Sequence, residues 1–218
     1  MSDSTGPKPA EDILDLFPRL ANKLTSLWLC LTYPFISVER DVFAHWSCEI
    51  SRHAARRIKI GKAVEIDRHV RLEVANKTFG TDPAIWLDDG SVLGRFTTIS
   101  AANHIYIGRD VIFGPSVLVA DHHDSKPALS GHKNEPKANG SVRIEQNCWL
   151  GFGSAIVANG TDLVIGRHSV IGANCLIDRS IPPYSVVAGN PSRIVKQYDP
   201  SQRRWVLGSS RNVGEKLS

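Results

Sequence analysis

The sequence predicts an all-β chain: a parallel β-helix of about five coils, preceded by an amphipathic helix and interrupted by one protruding loop. Three observations predict it. Large apolar residues recur every six positions through most of the chain. Glycine directly follows many of them. One segment of about twenty residues breaks the pattern, which then resumes.

The elements follow in chain order. Residues 1–10 are polar and turn-rich and are expected to be disordered. Residues 11–57 read as a helical N-terminal extension. Ile13, Leu16, Leu20, Leu24, Leu27, Trp28 and Leu31 recur at steps of three and four, with an interruption at Pro18 and a stop at Pro34. That face suits packing on the main domain or on a neighbouring subunit. With Arg19, Lys23 and Trp28 beside it, it also suits a membrane surface.

Residues 58–198 form the repeat domain. The apolar positions are Ile60, Ile66 and Leu72; Leu87, Leu93 and Ile99; Ile107, Phe113 and Val119; Ile144, Leu150 and Ile156; Ile165, Ile171 and Ile177. A period of six is neither that of an amphipathic helix nor that of a half-buried strand. It is the hexapeptide signature of a parallel β-helix, in which three short strands and three turns make one triangular coil. The apolar residue points into the shaft, stacking buries neighbouring rows, and glycine beside it tolerates a tight turn. Residues 124–143 leave this frame as a loop, and residues 199–218 read as a C-terminal tail. A regular prism has no concavity, so a long loop beside His122 and His123 is where a site is expected.

Composition removes several classes. A formal net charge of +4 fits an anionic ligand but does not argue for nucleic acid. The four cysteines, Cys30, Cys48, Cys148 and Cys175, match neither zinc nor CxxC spacing and read as buried thiols of a reducing compartment. The N-terminus lacks the order of a signal peptide, and the apolar run 27–35 is far below the ~20 residues of a membrane span. The expectation is a soluble, cytoplasmic protein.

The segments GPSVLVADHHD (114–124), CWLGFGSAIV (148–157) and VIGRHSVIGANCLIDRSIPPYSVVAGNPSRIVK (164–196) resemble the left-handed β-helix acyltransferases. This hexapeptide-repeat family includes maltose, galactoside and nodulation-factor O-acetyltransferases. The resemblance covers roughly residues 58–198. It implies a homotrimer, with acetyl-coenzyme A as co-substrate in the groove between neighbouring prisms, no metal, and a loop histidine as general base. Matched by position, the coenzyme A contacts are Trp149, Gly151, Phe152, Ala173, Asp178, Arg179, Arg193 and Lys196. Trp149 also suits simple packing under the loop, and Arg193 with Lys196 also suits a solvated tail.

Relatives commonly read DHxH where this chain has Asp121-His122-His123-Asp124. A one-residue deletion makes His123 the base, which is the preferred alignment; ungapped counting leaves His122, and both histidines also suit a polar turn. The family's sugar-contacting positions fall at Gly94 and Ala102, which offer no useful side chain. Asn103 and His104 are the polar candidates nearby, and both also suit turns. The departure disfavours simple maltose or galactoside acetylation and favours a polysaccharide or lipid-linked acceptor. The implied activity is transfer of an acetyl group to a carbohydrate hydroxyl. The alternatives are an N-acetyltransferase acting on an amino sugar, a γ-type carbonic anhydrase and a non-catalytic β-helix. The spacing of His104, His122 and His123 does not suit the three-histidine zinc site of the carbonic anhydrase.

Overall fold

The computed structural model describes residues 24, 27–29, 31–75, 82–122, 140–158, 160–199 and 202–207. His123, most of the 124–143 loop and Ile13, Leu16 and Leu20 lie outside them.

The described strands run round a triangular shaft in threes. The first turn holds β1 (Ser37–Val38), β2 (Phe43–Ala44) and β3 (Glu49–Ile50); the next β4 (Ile58–Ile60), β5 (Glu65–Ile66) and β6 (Arg71–Val74). Then come β7 (Ile85–Leu87), β8 (Val92–Leu93) and β9 (Thr98–Ala101), followed by β10 (His104–Ile107), β11 (Ile112–Phe113) and β12 (Leu118–Ala120). After the loop follow β13 (Ser141–Ile144), β14 (Trp149–Leu150) and β15 (Ala155–Val157), then β16 (Leu163–Ile165), β17 (Val170–Ile171) and β18 (Leu176–Ile177). Every third strand pairs in parallel, giving three sheets along the prism. This is the left-handed parallel β-helix expected.

Register explains the six-residue period. Ile60, Leu87, Ile107, Ile144 and Ile165 stack in the first sheet. Leu72, Ile99, Val119, Ile156 and Ile177 stack in the third. All ten are essentially removed from solvent. Each such burial contributes about 1.5–3 kcal/mol.

Two boundaries differ from the expectation. The sequence places the helical extension through residue 57, but the prism begins at Ser37, where β1 to β3 pair with β4 to β6. Val38, Ala44 and Ile50 keep the step of six; a small alanine in the middle hides the row among apolar residues of the N-terminal segment. Between residues 37 and 57 the helix is Arg52–Ala55, capped by the Ser51 hydroxyl. The expected tail at 199 divides a strand: β20 (Arg193–Asp199) pairs antiparallel with β19 (Ser185–Ala188) and with β21 (Arg204–Leu207).

The glycines act differently from the expectation too. Left-handed backbone falls two residues further on, at Phe96, Ser116, His168 and Asn174. A Cβ on Gly151 would instead stand 2.7 Å from the Ala173 nitrogen, and one on Gly94 2.6 Å from the Phe113 carbonyl oxygen. The glycine makes room for the backbone of the coil stacked on it.

Leu29, Tyr33 and Phe35 pack against the core at the start of the prism. Leu24, Leu27, Trp28 and Leu31 belong to the expected helix face, and all four are more than half exposed on the single chain. Among the described residues, no helix is long and apolar enough to cross a membrane.

Candidate active site

The site is built at the vertex where strands of the third sheet hand over to the first. There the chain turns through Ala102 and Asn103 after β9. One coil later it leaves β12 as Asp121 and His122 and enters the long loop. The Asp121 side chain is fully buried. Its Oδ1 accepts the Ala102 N–H at 2.6 Å and its Oδ2 the Asn103 N–H at 2.7 Å. Donors thus point at both oxygens, and a carboxylate only accepts. The His122 Nδ1, 3.1 Å from Oδ1, is therefore the donor. That fixes the tautomer: Nδ1 carries the hydrogen, and Nε2 is the nitrogen able to take a proton.

Asn103 and His104, expected as acceptor contacts, hold the vertex together. The Asn103 side-chain amide donates to the Gly140 carbonyl at 3.0 Å, tying the returning loop to the turn. The His104 Nδ1 donates to the Pro83 carbonyl at 2.7 Å.

The other expected residues divide between places. Trp149 stands on the outer side of the second sheet, in register between Ile112 and Val170, and is about half exposed. Phe152, equally exposed, lies at the next vertex beside Ala173, whose following residue Asn174 donates its N–H to the Phe152 carbonyl at 2.8 Å. The backbone N–H of Gly151 is taken by the Ile171 carbonyl at 2.7 Å. Asp178 and Arg179 follow β18 at the loop's own vertex and grip each other at 2.8 and 3.3 Å. The guanidinium holds the Asp178 carboxyl below its ordinary range. Arg193 pairs with Ala188 and Lys196 with Val186. Residues three apart in a regular strand face opposite ways. The register shifts between Val186 and Val187, so both cations share the outward side.

Trp149, Arg193 and Lys196 belong to the second sheet, whereas the outer side of the third sheet joins the vertex of Phe152 and Ala173 to that of Asp178 and Arg179. Its earlier strands carry Arg71, Glu73, Thr98 and Ser100; its later strands carry Leu118, Ala155, Val157 and Leu176. Asp121 was visible in the sequence only as part of a motif. Its signal as an anchor is its place directly after the last strand residue before the loop. The described residues contain no cluster of three metal-ligating side chains.

No protein-family model matches the chain. Individual relatives do. The chain is 30% identical over 129 residues to WbbJ of Escherichia coli, provisionally named a lipopolysaccharide biosynthesis O-acetyl transferase; the match covers 56% of this chain and 64% of that protein. It is 38% identical over 98 residues to the galactoside O-acetyltransferase of Lactococcus lactis, covering 44% and 45%. The matches thus span less than two thirds of either relative. Among solved structures, the N-acyltransferase AntD of Bacillus cereus, in complex with dTDP and 3-hydroxybutyryl-CoA, superposes with a TM-score of 0.64 at 19% identity, over 84% of this chain and 90% of that one. A maltose O-acetyltransferase of Clostridium difficile superposes with a TM-score of 0.53 at 21% identity, over 85% and 89%. By sequence the chain is similar to proteins named O-acetyltransferases over part of their length, and by fold to acyltransferases built on the left-handed β-helix.

Proposed function

We propose that the protein transfers an acetyl group from acetyl-coenzyme A to a hydroxyl of a carbohydrate, with His122 as general base. The observation that carries this reading is the buried Asp121 carboxylate holding Nδ1 of His122 at the vertex where the long loop departs. A sugar hydroxyl attacks a thioester poorly until its proton is removed. His122 Nε2 takes that proton as the oxygen attacks the carbonyl carbon. Asp121 then faces an imidazolium, which its charge stabilises. The tetrahedral intermediate collapses, the carbon–sulfur bond breaks, and the imidazolium returns the proton to the leaving thiolate. His123 is the competing base, as the preferred alignment has it; the carboxylate partner favours His122.

The cofactor would lie along the later strands of the third sheet. Phe152, Ala173 and Leu176 suit the pantetheine arm, and the outward Arg193 and Lys196 suit its phosphates. The exposed Ile112, Trp149, Leu27 and Leu31 suit a second copy of the chain, and a trimer would turn an open face into a groove. The names of the curated relatives support an O-linked acceptor; AntD, of the same fold, makes an amino sugar the reading to test against it.

The test is thiol release from acetyl-coenzyme A across a panel of sugars and amino sugars. Turnover with hydroxyl acceptors, lost in His122→Ala, is the expected result. Turnover only with amino sugars would replace the reading by N-acylation.

A further inference from the structure

The positions where an acceptor would be expected to find side chains are closed in this chain. Ala102 is buried, and the Cα of Gly94 faces the Phe113 carbonyl too closely for any side chain. Among the described residues, other side chains of the same face are open to an acceptor.

The register shows where. Glu73 of β6 pairs with Ser100 of β9, and Ser100 pairs with Ala120 of β12, the residue before Asp121 and His122. Strands in a sheet lie about 4.8 Å apart, so Glu73 stands roughly 10 Å along the prism from the root of the histidine. Arg71 is next to it, bonded to Glu49 at 2.6 Å and to Glu73 at 3.4 Å. The Ser100 hydroxyl reaches Glu73 at 3.5 Å. A cavity of about 620 Å³ opens at this end, with Glu49, Arg71 and Glu73 in its wall.

The chemistry of this strip selects a ligand class. Planar carboxylate and guanidinium groups bond neighbouring hydroxyls in pairs, and a serine hydroxyl bonds them as donor or acceptor. The single guanidinium is matched by two carboxylates, so the strip gives an anion no attraction. Its distance from the histidine suits a ring beside the acylated one. We propose that Arg71, Glu73 and Ser100 form an acceptor subsite for a neutral sugar ring, and that the acceptor is therefore an oligo- or polysaccharide. This rests on the acyl-transfer reading above.

The experiment compares glucose and galactose with their short oligosaccharides, using wild type and the Glu73→Gln/Ser100→Ala double variant at saturating acetyl-coenzyme A. Wild type is expected to prefer an oligosaccharide to its monosaccharide at least tenfold in kcat/KM. The double variant should lose that preference through KM, with kcat, monosaccharide KM and acetyl-coenzyme A KM unchanged. An oligosaccharide KM that does not move, or a wild type indifferent to chain length, overturns the proposal. Saturation-transfer NMR of the same oligosaccharides without acetyl-coenzyme A separates the two readings. If no sugar is acylated but the oligosaccharide signal is lost in the double variant, acyl transfer fails and the subsite stands. No signal, or one equal in both proteins, removes the subsite. Both substitutions are on the surface, and an unchanged Tm checks that the fold is kept.

Discussion

The outer side of the third sheet has two halves on one scaffold. Its earlier strands present Glu49, Arg71, Glu73 and Ser100, bonded to one another. Its later strands present Leu118, Ala155, Val157 and Leu176, of which Leu176 is 53% exposed. Behind both runs the same column of buried Leu72, Ile99, Val119, Ile156 and Ile177. The shaft is uniform because every coil must bury its neighbour. The outside is free to differ because alternate strand residues face away from the shaft. Asp121 and His122 sit at the seam between the polar half and the apolar half; in the proposed reaction the first would meet hydroxyls and the second an apolar arm. Two substrates of opposite character would meet there.

The shaft behind both halves can be weakened by one substitution. Ile99→Ala should destabilise the protein by about 2–5 kcal/mol, since a fully buried isoleucine leaves a cavity. Denaturant unfolding should show both halves lost in one transition; separate transitions would mean that the halves fold independently.

The apolar half is tested next. Leu118→Glu with Leu176→Glu places charges where the pantetheine arm would lie. Acetyl-coenzyme A binding by calorimetry should weaken by about 10²-fold, as burying unpaired charge costs a few kcal/mol. Acceptor KM should hold. Unchanged cofactor affinity would place the arm elsewhere.

A smaller effect is expected at the end of the prism. Arg193→Ala with Lys196→Ala should reduce acetyl-coenzyme A affinity about tenfold at low salt and less at high salt, because attraction to phosphate is screened. Equal loss at both salts would indicate packing and not charge.

Asp178→Asn should do least. Arg179 lowers the Asp178 carboxyl, so the pair's stabilisation is present above the ordinary carboxyl range and fades as pH falls through the lowered value. Both side chains are about half exposed and screened, so Tm at neutral pH should barely move. A large drop in Tm would mean that the pair anchors the vertex.

The shaft was legible from its second coil onward, because fifteen large apolar residues there keep the step of six. The first coil was not, because Ala44 and the half-buried Val38 do not stand out among apolar neighbours. The vertex of the proposed site was legible from the break in the repeat. The anchoring of His122 was not, because Asp121 meets the backbone of Ala102 and Asn103 only once the coils stack. Glu73 and Ser100 were invisible for the same reason: they are 27 residues apart and become neighbours through strand register.

In the proposed reaction Asp121 and His122 supply the base at the seam, a role that single-turnover kinetics of His122→Ala measures. Acetyl transfer to a sugar acceptor should fall by about 10²–10⁴-fold, with acetyl-coenzyme A affinity unchanged and the fold intact. His123→Ala should keep most of its activity. Full activity in His122→Ala, with His123→Ala inactive, would rule out His122 and move the base to the neighbouring histidine.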